Sequence, residues 1–135
     1  MKIYFAGSIR GGRGDKEIYS LLINHLRNHG EVLTEHVGDK DLEEVGEIIP
    51  DEEIFKRDVK WLKSADFVVA EVTTTSLGVG YEIGLAESLG KKILCLHRHQ
   101  YRRLSAMIAG NKNVTTAFYN DVSEAFRIID DFLSR

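Results

Sequence analysis

Two carboxylates and a glycine-rich loop are the groups in this chain whose types and spacing suit chemistry on a small anionic molecule. Glu82 ends the string Thr73 to Glu82, TTTSLGVGYE, about two turns into a helix that Ser76 is suited to cap. Gly78, Gly80 and Gly84 surround it, and glycines inside a helix cost about 1 kcal/mol each relative to alanine. That cost implies close approach of something, either the sheet or a ligand. The carboxylate is then a candidate nucleophile, with a capping or surface acid as the alternative. Asp58, on the helix before the most apolar strand, is the second acid. Glycoside cleavage needs two carboxylates around one anomeric carbon, one attacking or stabilising an oxocarbenium-like centre and the other moving a proton. Spacing alone does not bring Asp58 and Glu82 together. Tyr4 alternates with the apolar residues of the first strand, where its phenol can orient a carboxylate or sit in the core as an ordinary tyrosine.

The loop Gly7 to Gly14, GSIRGGRG, follows that strand. Its glycines let backbone N–H groups approach an anion, and the following helix adds its positive end. Ser8 contributes a hydroxyl, and Arg10 and Arg13 contribute charge suited to phosphate. The known phosphate motifs do not fit. Gly7 and Gly12 have Walker spacing, but Arg13 and Gly14 follow where lysine and a hydroxyl residue are required, and the dinucleotide fingerprint is absent. His97 and His99 share a strand face without a third ligand at matching spacing, so no metal site is expected.

These groups need a scaffold, and the apolar pattern supplies one. Strands are predicted at Ile3–Ala6, Glu31–Thr34, Phe67–Val72, Lys92–Leu96 and Val114–Phe118. Helices are predicted over Asp15–His29 (capped by Asp15, closed by Gly30), Asp51–Ser64, Ser76–Leu89 (closed by Gly90), Leu104–Ala109 and Val122–Leu133. Near-continuous apolar strands alternating with helices predict an α/β fold. It is a single doubly wound, flavodoxin- or Rossmann-like, five-stranded parallel sheet with helices on both faces. Such sheets bind ligands beyond the carboxyl ends of the strands, which selects the loops after Ala6, Val72 and Leu96. The acidic stretch Val37 to Asp51 reads as a long surface connection of the kind that can serve as a lid.

At 135 residues the chain is expected to form one domain, 1–135. Its 18 basic and 21 acidic side chains give a net charge of −3, which argues against a protein that coats nucleic acid. The charge is unevenly placed. Eleven acids face three bases between Glu31 and Asp58, and six bases face no acid between Lys91 and Asn113. No apolar run approaches a membrane span, and Ile3–Ala6 is too short for a signal-peptide core. The single cysteine, Cys95, lies in an apolar strand and reads as a buried core residue, so a cytoplasmic protein is expected.

Six ordered strings resemble a known family: YFAGSIRGGRGD (Tyr4 to Asp15), VLTEHV (Val32 to Val37), DVKWLKSADFVVAEVT (Asp58 to Thr73), SLGVGYEIG (Ser76 to Gly84), KKILCL (Lys91 to Leu96) and LSAMI (Leu104 to Ile108). Together they are similar to the deoxynucleoside monophosphate N-hydrolases of the nucleoside deoxyribosyltransferase-like superfamily. The resemblance implies cleavage of the N-glycosidic bond of 2′-deoxynucleoside 5′-monophosphates to deoxyribose 5-phosphate and free base, with no metal or cofactor. It implies Glu82 as nucleophile and Tyr4 beside it. Asp58 is implied as the acid that contacts the sugar or protonates the leaving base. Gly7, Ser8, Ile9, Arg10, Gly11, Gly12 and Arg13 are implied as the 5′-phosphate cradle, with Ser76 and Gly78, and His36 as a residue near the base or sugar. It further implies a homodimer in which Ser105, beside Met107, reaches the phosphate of the partner's site. Two other readings stand beside this one. A nucleoside 2-deoxyribosyltransferase would pass the sugar to a second base, and the phosphate-suited loop argues against it. A non-catalytic nucleotide-sensing module could use the same fold, and the joint presence of Tyr4, Asp58 and Glu82 argues against that.

Overall fold

The computed structural model describes residues 1–9, 15–38, 47–98 and 103–135. In chain order these form β1 (Lys2–Ala6), α1 (Lys16–Leu26), β2 (Glu31–Val32), a 3-10 turn (Glu35–Gly38), α2 (Asp51–Ser64), β3 (Phe67–Glu71), α3 (Leu77–Ser88), β4 (Lys92–Arg98), α4 (Ala106–Ala109), β5 (Thr115–Tyr119) and α5 (Val122–Leu133). The strands pair in parallel in the order β2-β1-β3-β4-β5, as the alternation of elements predicts. From β1 the chain steps outward to β2, then crosses back to β3 on the other side of β1. The strand order therefore reverses between β1 and β3, and the register Ala6↔Ala70 makes their carboxyl ends adjacent.

Alternation along the strands divides the core in two. Ile3, Phe5, Val69, Leu94 and Leu96 pack on one face with Leu22 and Leu26 of α1 and Ile129 of α5. Tyr4, Ala6, Val68, Ala70, Ile93 and Cys95 pack on the other with Leu62 of α2 and Ile83 and Ala86 of α3. Cys95 is fully buried, and that burial pushes its thiol up to about 12, as suits an inert core residue.

Several boundaries differ from expectation for identifiable reasons. Asp15 takes the N-cap position of α1, but its side chain makes no capping hydrogen bond. Its carboxylate instead accepts from Thr74 Oγ1 at 2.8 Å and pairs with Arg98, tying the start of α1 to the ends of β3 and β4. Helix α1 ends at Leu26, before Gly30. Gly30 is needed for close approach, because a Cβ there would lie 2.4 Å from the carbonyl oxygen of Met1. β2 stops at Val32 because the Thr34 hydroxyl takes over its bonding, accepting from Phe5 N–H at 2.8 Å and donating to Phe5 O at 2.6 Å. β4 runs on to Arg98 because β5 follows it to Tyr119. Glu71, which reads as an interruption in an apolar strand, is fully buried and accepts from Thr73 N–H at 2.7 Å and from the Tyr119 hydroxyl. Helix α3 behaves as expected: Ser76 Oγ accepts from Val79 N–H at 3.3 Å, and Gly90 closes the helix at φ 71°. Among the described residues no helix is long and apolar enough to cross a membrane.

Candidate active site

Because Ile3 and Phe5 point toward α1 and α5, Tyr4 points the opposite way, beneath α3. Ser76 starts α3 above the carboxyl edge of the sheet, and Glu82 falls on its inward side. The Tyr4 hydroxyl donates to Glu82 Oε2. Helix α2 lies alongside and brings Asp58 to the same cavity, a space of about 630 Å³ lined by Tyr4, Asp58 and Glu82 and walled largely by apolar side chains, among them Ile54, Phe55, Leu62 and Leu77. The three groups that the sequence could not connect thus share one cavity.

That environment sets their protonation. Burial pushes the Glu82 carboxyl up from 4.5 to about 7, opposed by the Tyr4 hydrogen bond and reinforced by the charge of Asp58. Burial, with Glu82 and Asp58 beside it, drives the Tyr4 phenol far above its ordinary range, so it stays a donor. One oxygen of Glu82, Oε2, is therefore held by Tyr4. Burial also raises Asp58, while Arg57 pulls it back.

Arg57 was not singled out in the sequence. Its guanidinium bonds both oxygens of Glu47 at 2.7 Å, bonds Asp58 Oδ1 at 2.9 and 3.0 Å, and lies 4.7 Å over the Trp61 ring. His36 Nε2 is 3.3 Å from the same guanidinium and 3.6 Å from Glu47. The available signal was Arg57 and Trp61 one helical turn apart, next to a candidate acid. Glu47, 10 residues away along the chain, had none. Arg57→Gln is expected to remove the fork and lower folding stability by about 2 kcal/mol, the scale of hydrogen bonds to charged groups. The Asp58 carboxyl should rise further at the same time. Thermal denaturation and the pH profile of base release measure the two effects separately.

The other expected residues divide into three groups. Gly7, Ile9, Ser76 and Gly78 line the cavity. A Cβ on Gly7 would also meet the Tyr19 ring at 2.9 Å, so this glycine is required by packing as well. Ser8 is fully buried. Its N–H is already donated to the Tyr19 hydroxyl at 3.0 Å, and its own hydroxyl has no partner among the described residues. His36 meets the site through Arg57 and Glu47, beside Trp61. Ser105 and Met107 do not line this cavity. Ser105 caps α4 by accepting from Met107 N–H at 3.3 Å, and Met107 is 80% exposed. Arg10, Gly11, Gly12, Arg13, His99 and residues 39–46 of the acidic connection lie outside the described residues.

Residues 3–126 match the family model for nucleoside 2-deoxyribosyltransferase. The chain is 49% identical over 139 residues to a Tetraodon nigroviridis protein named 5-hydroxymethyl-dUMP N-hydrolase, covering 99% of this chain and 98% of that one. It is 54% identical over 126 residues, 91% of this chain and 86% of the relative, to a Nematostella vectensis protein provisionally named 2′-deoxynucleoside 5′-phosphate N-hydrolase 1. In fold it is similar to the CMP N-glycosidase of Clostridium botulinum, with a TM-score of 0.71 at 22% identity over 98% of this chain and 99% of that one.

Proposed function

The chain belongs to the nucleoside 2-deoxyribosyltransferase family, and we propose that within it this protein hydrolyses the N-glycosidic bond of 2′-deoxynucleoside 5′-monophosphates through Glu82. The observation that carries the reading is the shared cavity of Tyr4, Asp58 and Glu82, in a chain whose close relatives are named for this hydrolysis.

Glu82 Oε1 attacks the anomeric carbon as the bond to the base breaks, and the base leaves with the electron pair and takes a proton from Asp58. The product of this step is a 5-phospho-2-deoxyribosyl ester of Glu82. A water molecule, deprotonated by Asp58, then attacks the same carbon and frees Glu82, giving deoxyribose 5-phosphate. Tyr4 holds Oε2 and shares its negative charge in the free enzyme. Arg57 tunes the Asp58 carboxyl that carries the proton in both directions. The loop after β1 and the start of α3 hold the 5′-phosphate, fixing one end of the substrate while chemistry occurs at the other. His36 is assigned a place near the base or sugar. The lone, buried Cys95 fits a cytoplasmic setting.

A homodimer completes the site in this reading. Helix α3 turns Leu77, Gly80, Tyr81 and Gly84 outward, an apolar strip that a second copy would cover. Leu77 is 92% exposed and Tyr81 57%, although both border the cavity. Gly80 and Gly84 leave open space for a close neighbour. A second copy seated on α3 would cover the mouth of the cavity and bring its own Ser105 to the phosphate.

The test is release of free base from each deoxynucleoside monophosphate, 5-hydroxymethyl-dUMP included, with Glu82→Ala as control. Base release that depends on Glu82 is expected. Release that survives in Glu82→Ala removes the nucleophile assignment, and a new nucleoside formed when a second base is added points to transfer. The dimer is tested by complementation. Glu82→Gln and Ser105→Asp chains are each expected to be impaired alone. After re-association of an equal mixture, about a quarter of wild-type activity returns, because half the dimers are mixed and each has one intact site. Failure of the mixture to recover activity contradicts the shared site.

A further inference from the structure

On the far face of the sheet, away from the cavity, three side chains that no part of the proposed reaction uses converge on one point. His25 lies in the last turn of α1, His29 follows in the turn after it, and Asp130 projects from α5. His25 Nε2 is 2.6 Å and His29 Nε2 is 2.7 Å from the same oxygen, Asp130 Oδ1. The three potential ligand atoms all lie within 4.8 Å of one another. We propose that this cluster is a binding site for a divalent transition-metal ion of the zinc type, held by His25 Nε2, His29 Nε2 and the Asp130 carboxylate, with the remaining position open to solvent.

The donor set selects the class of ion. Two imidazoles and one carboxylate suit zinc, cobalt or nickel, whereas calcium and magnesium require predominantly oxygen ligands. The spacing is compatible. Tetrahedral zinc with bonds of 2.0–2.1 Å places its ligand atoms about 3.3 Å apart, so the two Nε2–Oδ1 distances of 2.6 and 2.7 Å open by roughly 0.6 Å as the ion enters, within a cluster whose three atoms already lie within 4.8 Å of one another. The site is also held in place. The His25 ring stacks on Phe126 at 4.2 Å between centroids and 6° between planes, and Phe126 itself packs against the α1–α5 core. Phe126 and Asp130 are one turn apart on α5, as His25 and His29 are along their own segment, so two adjacent turns face each other. The histidines are 18% and 26% exposed and Asp130 51%, which leaves room for an ion to enter and for a water ligand.

Metal binding needs no net loss of protons from neutral histidines. Each imidazole moves its proton from Nε2 to Nδ1, and the two hydrogen bonds to Asp130 give way to three metal bonds. The ion would clamp the end of α1 to α5. A simple hydrogen-bonded tie between these helices predicts instead that added metal changes nothing.

The experiment uses the full chain, treated with chelator and dialysed, then titrated with zinc by calorimetry and with cobalt by visible absorption. One ion per chain is expected, together with a rise in Tm on adding zinc. His25→Gln retains an amide N–H near the Nε2 position but no imidazole lone pair, and it is expected to weaken zinc binding about tenfold or more. His29→Gln and Asp130→Asn should do the same. The Tm of each variant without metal separates loss of folding from loss of the ion. Absence of saturable binding to the wild-type chain overturns the proposal. So does zinc binding that is unchanged in His25→Gln and Asp130→Asn, because the ion would then sit on other groups.

Discussion

Glu82→Gln is expected to lower the rate of base release by about 1,000-fold or more and, at the same time, to stabilise the folded chain above pH 7. The activity loss follows from removing the attacking oxygen, since an amide is not a nucleophile at this carbon. The gain in stability follows from the cavity. Burial raises the Glu82 carboxyl from 4.5 to about 7 in the folded chain. Between those values the native state holds a proton that the unfolded state has released, so stability falls as pH rises from about 4.5 through about 7. Above pH 7 the full difference of roughly 2.5 pKa units applies, a destabilisation of about 3 kcal/mol for keeping a carboxylate in that cavity. Glutamine carries no charge and can still accept from the Tyr4 hydroxyl. The Tm advantage of Glu82→Gln over wild type should therefore be large at pH 8 and small at pH 4, as measured by calorimetry across that range. An advantage that does not change with pH would mean that the Glu82 carboxyl is not raised.

Tyr4→Phe is the second large effect. Among the described residues Tyr4 is the only hydrogen-bond partner of the Glu82 carboxylate, and its donation is the one interaction there that favours the charged form. Hydrogen bonds to charged groups contribute about 1.5–3 kcal/mol, so kcat/KM at pH 7 is expected to fall about 10- to 100-fold. The profile of kcat/KM for the wild-type enzyme should rise with pH through about 7 as Glu82 ionises. In Tyr4→Phe that inflection moves upward. In Asp58→Asn it moves downward, because the neighbouring negative charge that opposes ionisation is gone. Opposite displacements in the two variants identify the titrating group as Glu82. Displacement in the same direction would assign the inflection elsewhere.

The parts of this molecule that were legible in the sequence are those that local pattern specifies. The apolar runs at Phe67 and Lys92, the cap at Ser76 and the stop at Gly90 announce their elements directly, and the alternation of strand and helix gives a parallel sheet. Glu82 is visible as a candidate because it stands among glycines, Tyr4 because it alternates with apolar residues in the strand before the glycine-rich loop, and Asp58 as a second acid on the helix before the most apolar strand, but the contact of Tyr4 with Glu82 spans 78 residues and depends on strand order. What was not legible is long-range polar pairing. Asp15 looks like a helix cap and is instead recruited by Arg98, 83 residues away. Glu71 looks like a flaw in a strand and is satisfied by Tyr119. Arg57 looks like one more charge on an exposed helix and is the hub between Asp58 and Glu47. His25 and His29 sit one turn apart, but Asp130 joins them from 105 and 101 residues along the chain. In each case the partner's identity is set by tertiary proximity, which residue spacing does not encode.

The central claim is that Glu82 becomes covalently attached to the sugar. Rapid acid quench of the enzyme during turnover of a 2′-deoxynucleoside 5′-monophosphate, followed by mass spectrometry of proteolytic peptides, tests it directly. A deoxyribose 5-phosphate adduct on the peptide containing Glu82, absent from Glu82→Gln, is the expected result. Base release in the first turnover with no adduct on that peptide, and with a sugar product of inverted configuration, would contradict it.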